Sequence, residues 1–111
     1  MRYNIRSKVW ITHNDKMLIG DGRAKLLRAI METGSLNQAA KSLGISYKKA
    51  WTLVQSINDH GEEPSVVGSA GGSGGGGTRL TAYGIKLLES YTRINASCWQ
   101  HLNEQLDDLD V

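Results

Sequence analysis

The sequence predicts a mainly α-helical domain with a small β component: a winged helix-turn-helix with an N-terminal strand or hairpin and a long C-terminal dimerisation helix. Three observations predict it. Residues 34–57 hold two helical patterns joined by a short turn containing Gly44, which is helix-turn-helix spacing. Residues 68–77 include seven glycines in ten, too many for a packed element, and lie between two short strand patterns. An apolar stripe then runs through the last third of the chain at helical spacing.

Each element has its own signature. Tyr3, Ile5, Ser7, Val9 and Ile11 alternate with more polar residues, so residues 3–11 read as a strand. His13, Asn14, Asp15 and Lys16 have turn chemistry, and Met17, Leu18 and Ile19 read as a short returning strand. Leu26, Leu27, Ile30 and Met31 predict a helix over 23–33, ended by Gly34. Ser35 caps a second helix over 36–43, whose Ala39 and Ala40 let another helix approach closely. Gly44 stops it, Ile45 is an apolar plug, and Ser46 caps a third helix over about 47–58. Ala50, Leu53, Val54 and Ile57 form the apolar stripe of that helix. Ser65, Val66 and Val67 pair with Arg79 and Leu80 as the strands of a wing over about 65–80. Thr81 caps the last helix, about 82–108, on which Leu88, Tyr91, Cys98, Leu102 and Leu106 lie along one line. A stripe that long exceeds what so small a domain covers from within, and a second copy is the simplest cover.

Composition narrows the function classes. The chain has 111 residues, enough for one domain and not for a second one that binds a ligand. No run of about 18 apolar residues suggests a membrane span, and residues 1–6 lack the apolar core of a signal peptide, so the expected location is the cytoplasm. Cys98 is the single cysteine, so no internal disulfide forms. Residues 1–80 carry a net charge of +5 and residues 81–111 a net charge of −3, the pattern of a body that faces an anion and a tail that does not. His13, His60 and His101 are far apart and never at i, i+4 spacing, and the adjacent acidic pairs Glu62-Glu63 and Asp107-Asp108 point apart. Neither a metal site, a cofactor nor an enzyme active centre is expected. The glycine run lacks the Gly-Lys-Ser/Thr ending of a P-loop.

The second helix of a helix-turn-helix lies in the DNA major groove with its N-terminal residues towards the base edges. Such residues must donate and accept hydrogen bonds or carry positive charge. Ser46, Tyr47, Lys48, Lys49, Thr52 and Gln55 meet that need. Gly71, Gly72, Ser73, Gly74, Gly75, Gly76, Gly77 and Thr78 would form the wing, whose bare backbone N–H groups approach phosphate, with Arg79 at its base. Trp51 stands beside the basic face of the same helix. Two other readings compete: a winged helix that binds another protein through its last helix, and a small oxyanion sensor using the glycine run as a nest.

A family resemblance agrees with the DNA reading. Gly22-Arg23, Leu26-Leu27, Gly34-Ser35, Ala39-Ala40-Lys41, Leu43-Gly44, Ser46-Tyr47-Lys48-Lys49-Ala50-Trp51, Leu53-Val54, the glycine run and Leu80-Thr81 occur in that order. Together they resemble the N-terminal DNA-binding domain of the molybdate-dependent (ModE-type) transcriptional regulators, over roughly residues 3–95. LysR-type regulators share the plan but not usually the Tyr-Lys-x-Ala-Trp stretch or the glycines. The resemblance implies a dimer that reads a palindromic operator, with residues 46–55 in the recognition helix and 65–80 in the wing. The molybdate-binding domains of that family have no counterpart within the 111 residues, so molybdate binding is carried over to no residue. Any effector would then be sensed through a separate partner protein or by another mechanism. The acidic Asp107-Asp108-Leu109-Asp110-Val111 ending resembles a natural terminus; a stand-alone regulator and a piece of a longer one both remain open.

Overall fold

A computed structural model describes residues 3–68 and 77–111. The order is β1 (Ile11–His13), β2 (Lys16–Ile19), α1 (Asp21–Thr33), α2 (Leu36–Leu43), α3 (Tyr47–His60), β3 (Val66–Gly68), β4 (Thr78–Leu80) and α4 (Ala82–Asp107). Each pair of strands makes its own two-stranded antiparallel sheet, β1 with β2 and β3 with β4. No helix among the described residues is long and apolar enough to cross a membrane.

The first hairpin turns on Asn14 and Asp15, with φ of 52° and 66°. Two positive φ values in a two-residue loop match the right-handed twist of the strands, and Asn and Asp tolerate them best after glycine. The predicted strand over 3–11 is not formed. Residues 3–10 have no regular structure, and the strand starts only at Ile11. The reason is the lack of a partner edge. β2 has four residues and pairs with Ile11 to His13 alone. The segment is fixed to α4 instead: the Tyr91 hydroxyl donates to the Val9 carbonyl at 2.9 Å. Ile5, Val9 and Ile11 are half-buried, the last two against the core, while Tyr3 stays half exposed, so the inward face is covered without a strand partner.

The helices follow their caps. Ser35 Oγ accepts from Gln38 N at 3.1 Å, Ser46 Oγ from Lys49 N at 3.0 Å, and Thr81 Oγ1 from Gly84 N at 3.0 Å. Each satisfies a backbone donor that the first turn leaves free. Gly34 and Gly44 end α1 and α2 at φ 68°, where a side chain would be strained. α1 begins two residues earlier than the sequence suggests, at Asp21. Met31, read as part of its apolar stripe, is instead half exposed.

The core gathers Ile19, Leu26, Leu27, Ile30, Ala39, Ala40, Ala50 and Ile57, all but closed to solvent, with Leu18, Val54, Val66, Leu80, Leu88 and Tyr91 around them. α4 enters it at Gly84, where a Cβ would overlap the Ser65 carbonyl oxygen. That oxygen also accepts from Thr81 N at 2.9 Å, so the α4 start lies directly on the β3 approach. Leu88 and Tyr91, at 4% and 2% exposure, belong to this core. They have no surface left for a second chain, which removes them from the predicted dimer stripe.

Candidate nucleic-acid interface

α2 and α3 meet across Gly44 and Ile45. The Ile45 N–H donates to Ala40 O at 3.0 Å, and its side chain packs on the core. Ala39 and Ala40 are buried, as a close helix–helix approach requires. This fixes α3 on the surface with its inner face, Ala50, Val54 and Ile57, spent in packing.

Successive helix residues turn by about 100°, so the remaining residues of α3 divide by face. Lys48, Thr52 and Gln55 lie opposite the buried stripe; the first two are exposed and Gln55 is half-buried. Lys49 is exposed on one flank, bordering a cleft with Leu43, Ile45, Leu53 and Arg23. Tyr47 and Trp51 are half exposed on the other flank. Ser46 is exposed at the end, but its Oγ already holds the Lys49 N–H, so its first duty is the cap.

The far end of α3 is tied down on two sides. Asn58 Oδ1 accepts from Ser65 N at 2.8 Å and Val66 N at 3.0 Å, and its Nδ2 donates to Val66 O at 3.0 Å. One side chain therefore completes the hydrogen bonding of the β3 entrance. Opposite, His60 Nδ1 donates to Met17 O at 2.6 Å, and His13 Nδ1 donates to His60 O at 2.6 Å. The Nδ1 of each histidine must carry hydrogen here, because a carbonyl oxygen only accepts. Arg23 supports the same hairpin by donating to Met17 O at 2.9 Å; burial pulls its pKa down from the ordinary arginine value.

The root of the wing is described and most of its loop is not. Arg79 is exposed on β4 opposite Val67. Thr78 is half-buried, and its N–H donates to Gly34 O at 3.0 Å, joining the wing to the end of α1. Gly77 is exposed next to it. The predicted wing residues Gly71, Gly72, Ser73, Gly74, Gly75 and Gly76 lie outside the described residues. No grouping of His, Cys, Asp and Glu among the described residues could hold a metal ion.

Sequence reasoning placed the polar residues of α3 and the wing base but missed Asn58, which it treated only as a helix end. Its partners, Ser65 and Val66, lie seven and eight residues on, beyond the reach of local side-chain-to-backbone patterns.

No protein-family model matches the chain. Individual relatives do. It is 40% identical over 94 residues to the molybdenum transport protein ModE of Azotobacter vinelandii, covering 82% of this chain and 35% of that one. It is 42% identical over 96 residues to the DNA-binding transcriptional dual regulator ModE of Escherichia coli K12, covering 86% and 36%. It is 48% identical over 69 residues to the transcriptional regulator ModE of Yersinia pestis, covering 62% and 26%. The chain thus spans about a third or less of the length of these relatives. Among solved structures, ArgP of Mycobacterium tuberculosis superimposes with a TM-score of 0.56 at 22% identity, over 77% of this chain and 30% of that one, an agreement in fold. Over most of its own length, therefore, the chain is a winged-helix domain similar in sequence to a stretch of the ModE regulators.

Proposed function

We propose that the chain is the DNA-binding part of a transcriptional regulator, working as a homodimer on a palindromic operator. The observation that carries the reading is the outer face of α3. Lys48 and Thr52 are exposed there beside Gln55, on a helix whose inner face is fully committed to the core. Lys49 on the flank of α3 and Arg79 on β4 add positive charge, and Asn58 holds α3 to β3, the strand with which β4 pairs. Lysine and arginine neutralise phosphates, while Thr52 and Gln55 can bond base edges. The relatives named as regulators support a binding role rather than an enzymatic one.

The dimer reading rests on the outer half of α4. Leu102, Leu106 and Cys98 are half-buried there, Ile94 is exposed at 38%, and Leu109, just past the end of the helix, at 47%. Apolar side chains along a helix that has left its own core need a cover, and a second copy of α4 supplies a matching one. A twofold dimer reads two half-sites, hence a palindrome.

The test is fluorescence anisotropy of the protein with mixed-sequence duplex DNA across a salt series. Binding that falls steeply with salt is the expected result, since each neutralised phosphate contributes about −0.9 to the log–log slope. No binding at low salt would return the fold to a protein-interaction role.

A further inference from the structure

We infer that Tyr47 and Trp51 form an apolar contact for thymine 5-methyl groups in the major groove, so that this pair sets part of the sequence preference. The inference rests on the DNA-binding reading above. Tyr47 and Trp51 are one turn apart on α3, about 6 Å along its axis, and remain 54% and 50% exposed. A solvent-facing stretch of helix is normally polar. Two adjacent aromatic side chains left open there mark a contact surface.

The neighbours say what the surface meets. Lys48, Lys49 and Thr52 surround the pair and are all exposed, a setting complementary to a polyanion. The pair also sits on the same flank of α3 as Asn58, eleven residues beyond Tyr47, which binds the root of the wing. It thus lies between the polar outer face and the wing, near the N-terminal half of the helix that points to base edges. In the major groove hydrogen-bonding groups dominate, and thymine adds an apolar 5-methyl. An aromatic face gains there by covering a methyl and gains nothing at a cytosine. Neither Tyr47 nor Trp51 has a side-chain hydrogen bond in the protein among the described residues, and about half of each is open to solvent.

The experiment compares duplexes that differ by the methyl alone. Sites are recovered from a random duplex pool with the wild-type protein, then resynthesised with deoxyuridine replacing thymidine. Anisotropy at fixed salt should show the wild type losing roughly three- to fivefold in affinity per contacted methyl, the size expected for withdrawing one methyl from apolar cover. Trp51→Ala and Tyr47→Ala should bind the two duplexes more nearly alike, while Tyr47→Phe keeps the wild-type ratio. Far-UV circular dichroism checks that these surface variants remain folded. Equal binding of thymine and uracil duplexes by the wild type, with steep salt dependence intact, overturns the inference and leaves the DNA reading standing. An undiminished ratio in both alanine variants also overturns it. Absence of binding to any duplex at low salt overturns the DNA reading itself, a distinct result.

Discussion

Asn58 bonds Val66 through both atoms of its amide: Oδ1 accepts from Val66 N at 3.0 Å, and Nδ2 donates to Val66 O at 3.0 Å. The same Oδ1 takes the N–H of Ser65 at 2.8 Å. A side chain of α3 thereby replaces the strand neighbour that β3 lacks on this side. Asn58→Ala leaves Ser65 and Val66 backbone groups buried without partners, and each such group costs about 1–3 kcal/mol. The variant should lose about 2–4 kcal/mol in urea unfolding, and its DNA affinity should fall at temperatures where it is still folded, because the wing root moves. Unchanged stability would show that water replaces the amide.

Gly84 and Gly22 should respond to alanine in opposite directions. At Gly84 the added Cβ meets the Ser65 carbonyl, backbone on both sides, so neither partner yields easily. Gly84→Ala should cost about 2–3 kcal/mol or more. At Gly22, inside α1, nothing lies within 4 Å of such a Cβ. Gly22→Ala should stabilise by about 0.5–1 kcal/mol, from lower chain entropy in the unfolded state. Thermal unfolding of both variants decides.

Tyr91 gives a pH dependence. Burial first, then the Asp21 charge, raises its phenol above the ordinary value of 10.0. A raised folded value means the fold favours the protonated form. The stability this group contributes is complete below about pH 10 and is lost as pH rises through the folded value. Tyr91→Phe has no such proton, so its stability should decline less steeply above pH 10. At pH 7 it should be weaker by about 1 kcal/mol, having lost the bond to Val9 O. Parallel alkaline profiles for the two proteins would count against the assignment.

Lys48 and Lys49 are exposed and form no ion pair among the described residues. Replacing both with alanine should leave unfolding unchanged and reduce the salt slope of DNA binding by about 1.8. A slope equal to the wild type's would take both lysines out of the interface.

Leu102→Asp with Leu106→Asp puts two carboxylates on the apolar line of α4. Sedimentation should show monomers with an intact circular dichroism spectrum, because these positions lie beyond the core. Affinity for a two-half-site operator should fall on the order of 100-fold, as linked binding is lost. A double mutant that still sediments as a dimer would move the interface elsewhere.

Much of the fold was legible because its signals are local. Ser35, Ser46 and Thr81 were read as caps from position alone, and each makes the expected bond. Gly34 and Gly44 end helices at positive φ as glycine should. Residues 3–10 misled because alternation reports a side-chain pattern, whereas a strand also needs a backbone partner. Leu88 and Tyr91 were placed on an outward stripe because spacing along α4 does not say where the helix leaves the core. Gly84 decides that, and its closeness to Ser65 is a tertiary fact with no local signature. The polar residues of α3 were readable from period; the Asn58 and His60 attachments were not, since their partners lie 8 and 43 residues away.

Those attachments give α3 the mechanics of a cantilever. Asn58, His60 and the ring of His13 clamp its last turn to β3 on one side and to the β1–β2 hairpin on the other. Among the described residues its first turn has only the Ser46 cap and its buried stripe. A load applied at Tyr47 and Lys48 is therefore felt as torque at the clamped end, and both small sheets rotate with it. Backbone amides near residue 57 should exchange with solvent last, those near residue 48 first, and docking at the tip should slow exchange in the β1–β2 hairpin, which carries none of the proposed contacts.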